Sequence, residues 1–197
     1  MPYELHLLIS SSFIFFMQCI VLVGFARSGK DTAADYLIKE FNFKKFVFSD
    51  VLVKMAKEKN LEPTKMNLVK LGDELRALKG MNAVAIELLK EVKAFRAENK
   101  EKETNLVLVG ARSKEEFYSV KEVFPEAKLV AVTAKQNERF ERKSNIDPQN
   151  KEEFFSRDKI DSQKKGLTEL ISLADYELLN SGTKKDLSEK INELIKT

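Results

Sequence analysis

The stretch GFARSGKDT at residues 24–32 has the spacing of a phosphate-binding loop. In such a loop, glycines let backbone N–H groups turn toward phosphate oxygens, and the lysine reaches the β- and γ-phosphates of a nucleotide. The helix predicted to follow adds the partial positive charge of its N-terminus. The stretch therefore predicts a nucleotide-binding site formed by Gly24, Arg27, Ser28, Gly29, Lys30, Asp31 and Thr32.

The residue after the loop lysine departs from the usual pattern. A Ser or Thr there supplies a hydroxyl ligand for Mg²⁺, but this chain has Asp31, and Thr32 comes one residue late. A carboxylate is a hard oxygen ligand that Mg²⁺ accepts, so Asp31 is expected to bind the ion directly or through water, helped by Thr32. Alternatively, Asp31 only caps the helix N-terminus, where acidic residues are favoured. The two roles are compatible, and both stay open.

Short apolar runs alternate with longer amphipathic segments after Gln18, which predicts an α/β fold with a parallel sheet. A helix is expected from about Lys30 to Glu40, and an amphipathic helix at the end of the chain. The predicted strands are CIVLVG before the loop, KKFVFSD with Ser49 and Asp50 at its carboxyl end, TNLVLVGAR ending at Arg112, AKLVAVTA and ADYELLN.

Two further segments are expected to cover the ligand. The almost wholly helical pattern of residues 51–98 predicts a helical flap over about residues 50–100. Residues 135–165 are charged and helical, with a break at SNIDPQN, and we interpret them as a mobile lid rather than core. Ser113 and Glu116 have the spacing of a capping box that starts a helix.

The composition narrows the class of protein. With 43% hydrophobic and 33% charged residues among 197, the chain is typical of folded soluble domains. A net charge of +3 without a basic, aromatic-rich cluster predicts no nucleic-acid partner. The lone Cys19 excludes an internal disulfide and fits a reducing cytosol, so a cytoplasmic location is expected. With His6 as the only histidine, a structural zinc site is excluded.

The N-terminal run LHLLISSSFIFFMQCIVLVGF is apolar enough for a signal peptide or a membrane span. However, its last part is needed as the first strand, no Lys or Arg precedes it, and no A-x-A-like cleavage site follows. We therefore expect no membrane role. Residues 1–16 are interpreted as an extension before a natural start at Met17, and residues 17–197 as a single domain. A membrane-attached form remains the alternative.

Several stretches resemble known kinases. SGKDT followed by ADYL resembles the phosphate loops of phage deoxynucleoside monophosphate kinases, and GKD is shared with animal phosphomevalonate kinases. Residues 18–195 more closely resemble an archaeal family of nucleotide-kinase-like P-loop proteins related to adenylate kinase and dephospho-CoA kinase. The matching stretches are FSDV, LGDELR, GARSKEEF, NERFERK, EEFFSRD and LADYELLNSG. The resemblance implies a P-loop NTPase fold of the nucleoside monophosphate kinase type, a five-stranded parallel sheet, and ATP with Mg²⁺ as cofactors.

The resemblance also implies an acceptor pocket. Arg112 matches an arginine that holds the acceptor's phosphate, a task suited to the guanidinium fork. Asp50 and Arg76 match residues that line the pocket. Relatives carry an aspartate that helps to order Mg²⁺ where this chain has Val109. Our hypothesis is that Asp31 takes over part of that role; the rival interpretation is that both changes mark a decay of catalysis.

The lid and the adenine loop are implied in the same way. Arg139, Arg142 and Arg157 match lid arginines that close on the transferring phosphoryl group, although a solvated helix face is the alternative for any one of them. Asn180 and Gly182 belong to NSGT, which matches the loop that wraps the adenine.

These observations predict an ATP-dependent small-molecule kinase. Its acceptor would be a nucleoside monophosphate, dephospho-CoA or another phosphorylated metabolite. No Ser-His-Asp or Cys-His constellation is evident in the sequence, which fits phosphoryl transfer, where positioning and charge neutralisation do most of the catalysis. Two alternatives stay open, namely a regulatory or assembly ATPase with a macromolecular partner and a nucleotide-binding module without turnover. The sequence predicts no oligomeric state.

Overall fold

The computed structural model describes residues 17–99, 104–142 and 150–196. Its centre is a five-stranded sheet with the order β2-β3-β1-β4-β5, in which every neighbouring pair is parallel. The strands are β1 (Cys19–Val23), β2 (Lys44–Val47), β3 (Leu106–Val109), β4 (Lys128–Thr133) and β5 (Tyr176–Leu179). The predicted fold class and strand number are confirmed.

Helices cover both faces of this sheet. They are α1 (Lys30–Phe41), α2 (Phe48–Glu58), α3 (Lys65–Lys79), α4 (Ala83–Glu98), α5 (Lys114–Val123), α6 (Gln136–Glu141), α7 (Lys151–Lys165), α8 (Leu167–Ser172) and α9 (Lys184–Lys196). None of the helices in the described ranges is both long and apolar enough to cross a membrane.

The side chains of β1 alternate between two apolar cores, as the pleat of a strand requires. Val21 and Val23 pack in the core formed with α2, α3, α4, α5 and α8. Ile20 and Leu22 pack in the opposite core with α1 and α9. A strand that is buried on both faces must be apolar throughout, which explains the unbroken run that precedes the phosphate loop.

Two predicted strands end earlier than expected. β2 stops at Val47, and Phe48 begins α2, so the prediction that Ser49 and Asp50 end the strand was wrong. The reason is that Phe48, Val51 and Leu52 have helical spacing and are buried together. β3 stops at Val109 because the next residue, Gly110, has a φ of +94°.

The helical segment predicted over about residues 50–100 is present as α2, α3 and α4, and its role as a flap over the ligand stays a prediction. In the predicted lid, α7 buries Phe154 at 0% exposure. The expectation that this segment is not core was therefore wrong for α7, whereas the mobility of the lid stays a prediction. The predicted break SNIDPQN, residues 144–150, lies outside the described residues except for Asn150, which caps α7. The predicted extension at residues 1–16 also lies outside the described residues.

Candidate functional site

The candidate site is a cavity of about 440 Å³ at the carboxyl ends of β1, β2 and β3. From β1 the chain crosses toward β2 at one edge of the sheet, and from the adjacent β3 it crosses toward β4 on the other side. Ligands of open α/β sheets bind in the crevice that such diverging connections leave. The topology therefore brings the phosphate loop and the loop after β3 together.

The phosphate loop has the backbone that its glycines were expected to allow. Gly24 and Gly29 have φ angles of +150° and +104°. A Cβ atom on Gly24 would lie 2.3 Å from the Val132 carbonyl oxygen, and one on Gly29 would lie 2.1 Å from Asn180 Nδ2. A larger residue at position 24 would clash with the backbone, and one at position 29 would displace the Asn180 side chain.

Three features of the loop fit the phosphates of a nucleotide. Gly29 is the N-cap of α1, and no side chain of its own accepts hydrogen bonds from the first N–H groups of the helix. Those N–H groups are therefore not capped by that residue. The Ser28 hydroxyl is buried and has no hydrogen-bond partner among the described residues. The Lys30 ammonium lines the cavity and lies 3.5 Å from the Phe25 carbonyl oxygen. Anionic oxygens are the ligands that such a cradle accepts.

The two predicted metal ligands are placed differently. Asp31 lines the cavity in the first turn of α1, and its side chain is 64% exposed and 3.6 Å from the Lys45 ammonium. Thr32 is exposed and is not among the lining residues. No cluster of three or more His, Cys, Asp or Glu side chains suited to a metal was found in the described part of the chain. Mg²⁺ needs only one or two carboxylates when phosphate oxygens complete its shell, so Asp31 alone fits.

Arg76 and Arg112, both predicted for the acceptor pocket, line the cavity and are joined by one buried carboxylate. Glu116 is fully buried; its Oε1 accepts from Arg76 Nη2 at 2.7 Å, and its Oε2 accepts from the Arg112 backbone N–H at 2.7 Å. The predicted capping box is therefore half formed. Ser113 Oγ does accept from the Glu116 N–H at 3.2 Å. The Glu116 carboxylate, however, accepts from Arg76 Nη2 and the Arg112 N–H, and not from the N–H of Ser113 as a capping box would require.

The Arg112 side chain leads to the lid helix α7. Its Nη1 donates to Asp161 Oδ1 at 2.9 Å, and Lys165 Nζ donates to the same oxygen at 2.9 Å. Burial by itself would raise the pKa of Asp161, but the charges of Arg112 and Lys165 outweigh it and hold that pKa below its ordinary value. Burial, with Arg112 nearby, lowers the pKa of Lys165.

The predicted lid arginines have three different environments. Arg157 lines the cavity, and its charge helps to lower the pKa of Asp161. Arg139 is buried outside the cavity lining, in a bidentate pair with Asp158, and its Nη1 also donates to the Ala26 carbonyl at 3.0 Å. In this structure Arg139 thus braces the lid against the phosphate loop.

Arg142 and Asn180 meet behind the loop. Arg142 Nη1 donates to the Ser28 carbonyl at 3.1 Å, and its Nη2 donates to the Asn180 carbonyl. Asn180 Nδ2 donates to the Ser28 carbonyl at 2.8 Å. The predicted adenine-loop residue Asn180 therefore contacts the phosphate loop directly. Gly182 lies further along that loop, and a Cβ atom on it would lie 2.3 Å from Asp186 Oδ2.

Asp50 is not brought to the cavity. It is exposed in the first turn of α2, and its neighbour Ser49 lines the cavity instead. Partial burial, with the nearby charge of Glu91, raises the pKa of Asp50.

Sequence reasoning missed the carboxylates that hold the cations. The sequence did not single out the carboxylates Asp158 and Asp161, nor the Lys165 ammonium that pairs with Asp161. Glu116 was noted only as part of a cap. The i, i+4 spacing of Asp161 and Lys165 on a predicted helix is a signal for their ion pair. The partners of Glu116 are 40 residues away in the chain for Arg76, and spacing gives no signal for them.

Comparisons with known proteins agree with this architecture. The family model described as an AAA domain matches residues 20–163. A UPF0200 protein of Thermococcus onnurineus is 31% identical over 185 residues, which cover 89% of this chain and 95% of that protein. A UPF0200/UPF0201 protein of Archaeoglobus fulgidus is 32% identical over 185 residues, which cover 91% of this chain and 55% of that protein. The chain thus spans about half the length of the Archaeoglobus relative.

Solved kinases share the fold. The shikimate kinase of Bacteroides thetaiotaomicron has a TM-score of 0.57 at 13% identity, covering 92% of this chain and 99% of its own. The shikimate kinase of Aquifex aeolicus has a TM-score of 0.55 at 18% identity, covering 91% and 96%. Similarity at such low identity shows a shared P-loop kinase fold. With its AAA-type domain and its Thermococcus relative, this chain is a member of the UPF0200 family.

Proposed function

We propose that this protein is an ATP-dependent kinase that transfers the γ-phosphoryl group of ATP to a phosphorylated small molecule. The observation that carries the proposal is the charge of the cavity, because seven cationic side chains line it against two carboxylates. The cations are Arg27, Lys30, Lys65, Arg76, Arg112, Arg157 and Lys165, and the carboxylates are Asp31 and Asp161. Of these cations, five lie outside the phosphate loop, and that excess supports a second anionic reactant beside the nucleotide; they are Lys65, Arg76, Arg112, Arg157 and Lys165.

The residues divide between two substrates. Lys30, Ser28 and the loop backbone would bind the phosphates of ATP, and Asn180 and Gly182 would lie beside its adenine. Arg112 and Arg76 would hold the acceptor's phosphate. A bound Mg²⁺ would neutralise phosphate charge, and Asp31, which lines the cavity, would hold it.

The lid would keep water away from the reacting phosphate. Arg157 lines the cavity and would neutralise charge that develops during transfer. Arg139 and Arg142 hold the lid and the Asn180 loop against the phosphate loop. Exclusion of water is what allows transfer to an acceptor in place of hydrolysis.

The resemblance by itself would make the acceptor a nucleoside monophosphate or a dephospho-CoA-like molecule, whereas the mostly apolar lining of the flap argues against a nucleobase. A phosphorylated metabolite requires no nucleic acid or membrane as a partner, and we expect the enzyme to act in the cytoplasm. The rival function is a regulatory or assembly ATPase whose lid answers a macromolecular partner.

Consumption of ATP with Mg²⁺ tests the proposal, across a panel of phosphorylated acceptors and without acceptor. We expect turnover that needs an acceptor and that vanishes in Lys30→Ala. Turnover that is independent of the small molecules, or that appears only when a protein or RNA is added, would favour the ATPase.

A further inference from the structure

We infer that the acceptor is a phosphate monoester with an apolar body and no nucleobase. This inference rests on the proposed kinase function, since it names the class of acceptor for the same site.

The wall formed by the flap is mostly apolar, and its polar members are Ser49, Lys65 and Arg76. Side chains from α2, from the turn before α3, and from α3 and α4 line it, namely Phe48, Leu52, Pro63, Leu68, Val69 and Val84. Among the described residues, Ser49 is the only uncharged polar side chain that lines the cavity. A nucleobase is selected by paired donors and acceptors on its edge, and an apolar wall leaves those edge atoms without partners. The wall therefore favours an aliphatic body.

Arg76, unlike the apolar side chains of the wall, requires a polar group of the ligand. Its side chain is 9% exposed, and Glu116 accepts from its Nη2, but its buried Nε has no hydrogen-bond partner among the described residues. Buried donors are nearly always paired in native proteins. Because Arg76 also lines the cavity, an anionic oxygen of the acceptor is the partner that this donor lacks.

The charges around Arg76 indicate the charge of that anion. Lys65, Arg76, Arg112, Arg157 and Lys165 line this part of the cavity, and Asp161 is the carboxylate among the lining residues beside them. Glu116 and Asp73 contact Arg76 without lining the cavity. A phosphate monoester carries about −1.5 to −2 at pH 7, so it suits a lining with several cations better than a carboxylate does.

The reaction is then a transfer between phosphates. An oxygen of the acceptor's phosphate dianion forms a new bond to the γ-phosphorus of ATP, and the bond from that phosphorus to the β,γ-bridging oxygen breaks. The products are ADP and an aliphatic diphosphate, and no proton needs to be removed from the attacking oxygen.

The test compares acceptors that lack either the phosphate or the alkyl group. ADP release is measured for the full chain with Mg²⁺ and ATP. The acceptors are n-pentyl phosphate, n-pentanol, which lacks the phosphate, and the adenosine, cytidine and uridine monophosphates, which replace the alkyl group with a nucleoside. Binding of n-pentyl phosphate without ATP is measured separately by calorimetry. We expect a kcat/KM for n-pentyl phosphate at least about tenfold above that of any nucleotide, a factor that a few apolar contacts can supply, and no acceptor activity of n-pentanol.

Two substitutions on α3 distinguish the effect of a polar group in the cavity wall from the effect of the same change elsewhere on the helix. Leu68→Gln puts an amide into the apolar wall and is expected to lower kcat/KM for n-pentyl phosphate about tenfold. Leu78→Gln makes the same change where the side chain is 82% exposed, and it is expected to leave kcat/KM unchanged.

Arg76→Lys tests the contact with the anion. It keeps the positive charge that pairs with Glu116 but lacks the Nε donor, and it should weaken binding of the alkyl phosphate.

The outcomes distinguish the two proposals. A preference for nucleoside monophosphates would overturn the aliphatic class and leave the kinase function standing. Binding of n-pentyl phosphate that weakens in Arg76→Lys, but without turnover, would support the class of ligand and count against the kinase. Neither binding nor turnover with n-pentyl phosphate would overturn the inference.

Discussion

Gly29 has the most demanding position in the phosphate loop, since it combines a φ of +104° with a close neighbour. Gly29→Ala would place its Cβ 2.1 Å from Asn180 Nδ2 and break the hydrogen bond from Asn180 to the Ser28 carbonyl. We expect the free energy of unfolding to fall by about 1–3 kcal/mol for the strained backbone and by about 1 kcal/mol more for the lost bond. Chemical denaturation measures the loss.

Gly166→Ala is the matched control for that change. Gly166 is also in the left-handed region, with a φ of +77° and a ψ of 24°, but the nearest atom would be 3.7 Å from a new Cβ. Equal losses in the two variants would show that the Asn180 contact contributes nothing.

Asp31 is the residue on which the metal hypothesis depends. Asp31→Ala is expected to raise the Mg²⁺ concentration that gives half-maximal ATP consumption, because a charged oxygen ligand is lost and no hydroxyl replaces it. The Asp31 side chain is 64% exposed, so stability should change by less than about 0.5 kcal/mol. Asp35→Ala is the control, since Asp35 also pairs with Lys45, at 3.0 Å, but does not line the cavity. An unchanged Mg²⁺ dependence in Asp31→Ala would refute the idea that Asp31 compensates for Val109.

At the scale of elements, the buried pair of Arg139 and Asp158 joins α6 to α7. Removing one partner of a buried pair leaves an uncompensated charge and costs about 3–5 kcal/mol. Arg139→Met should therefore destabilise the protein strongly, whereas Arg139→Met combined with Asp158→Leu should recover most of the loss. Urea denaturation of both single variants and the double variant measures the coupling. Additive losses would show that the pair does not hold the lid.

The lid should also loosen in acid because of Asp161. The pKa of Asp161 lies below its unfolded value, which is about 3.9. Ionised Asp161 therefore stabilises the fold above that pH, and the stabilisation is lost as the pH falls through the folded pKa. Asp161→Asn should be less stable than wild type at pH 6, and the difference should shrink as the pH falls below about 4 and Asp161 becomes protonated. A difference that stays constant over this range in denaturation curves would contradict the account.

At the scale of the whole molecule, the sequence predicted the architecture because that information is local. The buried run before Gly24 and the helix after it follow from periodicity and glycine placement. The pairings of Glu116 with Arg76 and of Asp161 with Arg112 span 40 and 49 residues. Long-range pairs of this kind depend on how α3, α5 and α7 pack, so single-sequence patterns assigned arginines to the site without their carboxylates.

The proposed kinase would move a phosphoryl group between two anions and keep water out of the site. The most direct measurement follows the label of γ-³²P-ATP in a single turnover with a phosphorylated acceptor and separates labelled acceptor from labelled inorganic phosphate. The account predicts that most of the label reaches the acceptor and that Lys30→Ala transfers none. Label found mainly as inorganic phosphate, whether or not an acceptor is present, would contradict a kinase.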